Sequence, residues 1–71
     1  MEIRYYRITD ATLALFQEDG RHVAHTVPIG AVVTVDGNNA FDGSKLIEVV
    51  WDGKKVMMFT QDLRTRSKSV D

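Results

Sequence analysis

His22 and His25 are the residues of this chain best suited by type to ligate a metal or move a proton. Their H-x-x-H spacing would put both on one face of a helix, but it sends them to opposite sides of a strand. The run that holds them, RHVAHTV, follows an Asp-Gly turn and reads as the return strand of a hairpin, so the pair is split. Zinc would need further ligands, and the chain has no cysteine to supply them. No metal and no cofactor are expected. Nor is a nucleophile visible: Ser44, Ser67 and Ser69 lie in a loop and a tail, without a nearby histidine or a GxSxG elbow. Asn38, Asn39 and Asp42 make a polar loop, which turn formation explains. There is no phosphate-cradling glycine motif, and so short a chain rarely encloses a pocket of its own. The expectation is a protein that is not an enzyme.

Binding chemistry has more support. Arg4, Tyr5, Tyr6 and Arg7 interleave cations with rings, the combination by which small barrels hold single-stranded nucleic acid. Arg64, Arg66 and Lys68 add positive charge near the C-terminus. Two facts oppose that reading. The net charge is −1, which gives no global field to draw in a polyanion. Strand alternation also turns Tyr5 and Tyr6 to opposite faces, so one of them belongs to the core. Nucleic acid, with Arg4, Arg7, Arg64 and Arg66 as contacts, is therefore the alternative partner and a protein the preferred one.

The element that must position any site is the segment 45–60, KLIEVVWDGKKVMMFT. Asp52-Gly53 between two β-rich runs predicts a two-residue type I′ turn, which needs positive φ at both positions. That turn sets the register: Trp51 faces Lys54, Val49 faces Val56, Ile47 faces Met58 and Leu46 faces Phe59. Alternation then gives a core face of Ile47, Val49, Trp51, Val56 and Met58. The opposite face carries Leu46, Val50, Met57 and Phe59, interrupted by Glu48 and Lys55 on a diagonal that would allow a weak ion pair. A half-exposed hairpin is ordinarily polar on its second side, and this one is apolar. Either a curled sheet covers that side, with the first strand and Leu63 over it, or another molecule does.

Upstream, 3–8 (IRYYRI) and 12–17 (TLALFQ) read as strands, and Asp19-Gly20 makes a second hairpin turn that sets Glu18 opposite Arg21 and Phe16 opposite Val23. The return strand, 22–27, is polar enough to serve as a sheet edge. Val-Pro-Ile-Gly is a corner, since Pro28 cannot donate to a ladder. A further strand follows over 31–36, then the loop 37–44, in which Phe41 either plugs the core or meets a partner. After Thr60, QDLRTR predicts one helical turn, capped by Thr60 or Asp62 and anchored by Leu63. Residues 67–71 read as a flexible tail.

Seventy-one residues, 44% apolar and 27% charged, allow one ordinary globular domain. No apolar run approaches the roughly 18 residues of a membrane span, and the N-terminus is charged and β-rich, not a signal peptide; the cytoplasm is expected and a membrane is not. A domain of this size has little core, so association with another chain would help it. The class is all-β: a single small barrel of five to six antiparallel strands over residues 1–66, with one short C-terminal helical turn.

This order of elements, ending in a hairpin and a helical turn, resembles the SH3-like small barrels. The segments VPxGAVVTV (27–35) and VxWDGKxVMMFxxDLxxR (49–66) also resemble short uncharacterised bacterial proteins. The likeness spans most of the chain and implies a fold without an activity. LALFQEDG lacks the tyrosines of the SH3 ALYDY-type strand, and the paired tryptophans of SH3 are missing, so proline-rich ligands are not implied. The function expected is a protein-interaction or self-association module, its partner another protein or a second copy in a homodimer, with Leu46, Val50, Met57, Phe59 and Phe41 as its surface.

Overall fold

A computed structural model describes residues 2–37 and 45–70. It is an antiparallel all-β domain with one short helix. In chain order the elements are β1 (Ile3–Ile8), β2 (Thr12–Glu18), β3 (Arg21–Val27), β4 (Val32–Asp36), β5 (Leu46–Trp51), β6 (Lys54–Phe59), α1 (Thr60–Thr65) and β7 (Ser67–Val70). They form one seven-stranded sheet in the order β3-β2-β6-β5-β4-β1-β7.

The two Asp-Gly turns behave as their chemistry requires. Asp19 and Gly20 have φ of 50° and 76°, and Asp52 and Gly53 have 52° and 75°. Positive φ at both central residues matches the turn to strand twist, so each turn sets its register without help from distant contacts. Trp51 pairs with Lys54 and Leu46 with Phe59 in one hairpin; Glu18 pairs with Arg21 and Phe16 with Val23 in the other.

The core takes the inward set from each strand: Tyr6 and Ile8, Ala14, Val27, Val33 and Val35, Ile47 and Val49, Val56 and Met58, with Leu63 from α1. Tyr6 is therefore the buried member of the tyrosine pair, while Tyr5 is 45% exposed. A flat sheet of seven strands could not bury these residues, because one six-residue helix is too small a second layer. The sheet must curl and cover its own inner face. No ladder joins the outermost strands β3 and β7 among the described residues.

Two expectations are corrected. Residues 67–70 are not a loose tail: they form β7, antiparallel to β1, with Tyr5 opposite Val70 and Ile8 opposite Ser67. The cause is the free edge of β1. Its backbone groups need partners, and α1 reverses the chain so that Arg66 C=O accepts from Thr9 N–H at 2.8 Å. The helix is also not capped as expected, for the Ncap position falls on Phe59 with no side-chain bond. Thr60 Oγ1 donates instead to Lys45 C=O at 3.3 Å, and the Asp62 carboxylate accepts from Thr12 Oγ1 at 2.7 Å. Leu63 does anchor the turn, at 1% exposure.

The Pro-Gly corner docks on the end of β1. Gly30, at φ 92°, donates its N–H to Ile8 C=O, and Ile8 N–H donates to Ala31 C=O, both at 2.8 Å. This pair of bonds locks the start of β4 beside β1 before their regular ladder begins.

Candidate interaction face

Core packing takes every second residue of each strand, so the other half is turned outward. On β5 and β6 the outward set is Leu46, Glu48, Val50, Lys55, Met57 and Phe59. Pairing across the hairpin sets Leu46 beside Phe59, Glu48 beside Met57 and Val50 beside Lys55. The neighbours come from distant parts of the chain: Leu15 of β2 lies opposite Met57, and Thr34 of β4 opposite Val50. The β2–β6 register, continued by one residue, places Leu13 alongside Phe59.

The described residues leave this face open. Leu13 is 47% exposed, Phe59 41% and Val50 39%, while Leu46 and Met57 are half-buried by their neighbours. Leu63, which could have lain over it, packs into the core on the other side of the sheet. Nor does β1 cross it: β1 extends the sheet beyond β4, and its own outward residues Ile3 and Tyr5 are exposed. Phe41, the remaining candidate, lies outside the described residues, as do Asn38, Asn39, Asp42 and Ser44.

Glu48 and Lys55 stand in the middle of the face and line two shallow grooves on either side of them. One, of about 290 Å³, lies against Ile3, Thr34 and Val50; the other, of about 200 Å³, lies against Leu15, His22 and Met57. The diagonal ion pair that their spacing allows is not among the salt bridges of the described residues. Both side chains are exposed, and in water such a pair gains too little to hold two long side chains together.

Of the four arginines of the nucleic-acid alternative, Arg4 and Arg7 point to opposite sides of β1. Arg4 binds Glu2 at 3.3 Å and, with Tyr6 as the larger influence and Glu2 second, its pKa is raised further above the usual guanidinium range. Arg7 is on the outward side of β1, opposite Lys68 of β7. Arg66 works for the fold: its guanidinium donates to Ala11 C=O at 3.1 Å and lies 3.8 Å from Asp62. Arg64 sits in the last turn of α1.

The histidines part company as their spacing requires. His22 borders the outer face. His25, on the inner side of β3, makes an edge-on contact with the ring of Phe16, centroids 4.6 Å apart. No group of three His, Cys, Asp or Glu among the described residues is placed to hold a metal ion. No helix among them is long and apolar enough to cross a membrane.

What sequence reasoning missed is the lateral reach of the face. The hairpin revealed Leu46, Val50, Met57 and Phe59, but Leu13 and Leu15 join them through a strand pairing more than forty residues apart in sequence. The available signal was weak: the TLALFQ strand places leucines on the side opposite Ala14 and Phe16.

Compared with protein-family models, with curated proteins and with solved structures, the chain matches none. The outer face must therefore be judged on its own chemistry.

Proposed function

We propose that this protein is a small SH3-like interaction module that associates with a second copy of itself through the outward face of β2, β6 and β5. The observation that carries the reading is an apolar face, exposed among the described residues, with two opposite charges at its centre, Glu48 and Lys55, that form no salt bridge with any of those residues. A two-fold interface must be self-complementary, because each residue meets the partner's copy of its own surface. An adjacent acid and base satisfy that condition, since each Glu48 can reach the other copy's Lys55 while the flanking Leu46, Val50, Met57 and Phe59 lose water. The SH3-like reading draws on the β5–β6 hairpin leading at once into α1. A domain of this size also gains proportionally more from association than a larger one.

The test is absolute mass by light scattering across a range of concentrations. The wild type is expected to be a dimer that dissociates on dilution. Met57→Glu, at a half-buried outward position, should be a folded monomer. Glu48→Lys and Lys55→Glu should each weaken the dimer, and the double exchange should restore much of it, which a general loss of solubility would not do. A wild type that stays monomeric at every concentration overturns self-association, and a dimer unmoved by these changes places the contact elsewhere.

A further inference from the structure

A second surface lies on the opposite side of the sheet, where the tips of the two Asp-Gly hairpins approach each other. Phe16 and Trp51 both pack against the rim of the core without being buried in it. Their rings meet edge to face, with centroids 5.8 Å apart and planes at 74°. His25 closes on the other side of Phe16, at 4.6 Å and 68°. These three rings line a cleft of about 250 Å³ whose remaining wall is Glu18, Thr26, Asp52 and Lys54.

The shape and charge of this cleft select its occupant. At about 250 Å³ it falls below the roughly 300–1,000 Å³ of ordinary small-molecule sites, so it suits one side chain and not a whole metabolite. Its floor is aromatic, and ring faces attract cations through their quadrupole. Its rim has two carboxylates, Glu18 and Asp52, against one ammonium, Lys54. Glu18 Oε1 lies 3.4 Å from His25 Nε2, an ion pair when that imidazole is protonated, and it is 54% exposed and open to a stronger donor. A planar cation with several N–H donors uses all of this together. It can stack on a ring while bonding to a carboxylate, which a compact ammonium cannot do in the same plane.

We infer that the Phe16–Trp51–His25 cleft is a binding site for the guanidinium of an arginine side chain presented by a partner polypeptide. Rings from β2, β3 and β5 supply the stacking surface, and Glu18 and Asp52 accept the N–H bonds. The cleft shares no lining residue with the two grooves of the outer face, so occupancy of one surface leaves the other free.

Trp51 is the sole tryptophan of the chain, so its fluorescence reports on the cleft directly. The experiment titrates the full chain with N-acetyl-arginine amide, with N-acetyl-citrulline amide as the neutral isostere and N-acetyl-lysine amide as the compact cation. A saturable change is expected with the arginine compound, and binding about tenfold weaker with citrulline. Glu18→Gln lies at an exposed position, and Asp52→Asn keeps a residue that accepts the positive φ of the turn. Each variant should stay folded by circular dichroism and lose several-fold in affinity for the arginine compound alone. Equal responses to arginine and citrulline would overturn the proposal, as would no response at all. Tighter binding of lysine than of arginine would overturn the guanidinium assignment. A concentration-dependent signal from the protein alone that persists in Met57→Glu, where the outer-face dimer is broken, would overturn the partner assignment and identify the occupant as a second copy.

Discussion

The molecule contains the same turn twice, and the two hairpins built on it have different fates. Asp19-Gly20 and Asp52-Gly53 agree in φ to within a few degrees, and each sets a ladder of six or seven paired residues. The β5–β6 hairpin sits in the middle of the sheet and buries Ile47, Val49, Val56 and Met58. The β2–β3 hairpin buries Thr12, Ala14 and Val27, all in its lower half, and its far strand is the edge of the sheet. Identical turn chemistry therefore gives closely similar turn geometry and unequal burial. A turn decides which residues face each other across a hairpin; the neighbouring strands decide what that pairing is worth.

The comparison is broken most severely in the central hairpin. Val49 is 1% exposed, so Val49→Asp places a charge where nothing can solvate or pair it. The cost, more than about 4 kcal/mol, is comparable to the whole stability of so short a domain, and the variant should be unfolded by circular dichroism at 25 °C. A folded Val49→Asp protein would mean that the inner face is not a closed core.

Next comes the base of the edge hairpin. The Thr12 hydroxyl, 6% exposed, donates to Asp62 at 2.7 Å and ties β2 to α1. Thr12→Val keeps the shape and removes the donor, at about 1–2 kcal/mol by chemical denaturation. Native-state hydrogen exchange should show the loss concentrated in β2, β3 and α1, with β5 and β6 affected only through global unfolding. Uniform loss of protection would show that the two hairpins open as one unit.

The smallest effects sharpen the comparison at the turns themselves. A Cβ added at Gly20 or Gly53 meets no atom within 4 Å, so Ala at either site pays for positive φ alone. Gly53→Ala should cost about 1 kcal/mol, because the central hairpin cannot relax. Gly20→Ala should cost less, since the exposed tip of the edge hairpin can fray to relieve the strain. Equal costs would mean that the edge hairpin is held as firmly as the central one.

How far the chain could be read without coordinates follows the same division. The hairpin pairings, the inward set of 47, 49, 51, 56 and 58, the Pro28 corner and the Leu63 anchor were legible because each rests on a signal within a few residues. β7 was not. Ser67–Val70 has little strand character of its own, and it is strand because the edge of β1 offers backbone partners that α1 brings within reach. The helix cap was misplaced for a similar reason: Thr60 and Asp62 have the right side chains for capping, but Lys45 and Thr12 engage them first.

The candidate surfaces divide in the same way. The amino-acid sequence by itself determined that the 46–59 hairpin is apolar on both sides, through alternation and a turn that permits a single register. Tertiary structure alone decided that the other described elements leave the outward side open, that Leu13 and Leu15 widen it, and that Phe16, His25 and Trp51 meet around one cleft. Alternation and turn conformation are local, set by sterics within a few bonds. Coverage, widening and convergence depend on which strands become neighbours, and that is settled by the curl of the whole sheet around a shared core.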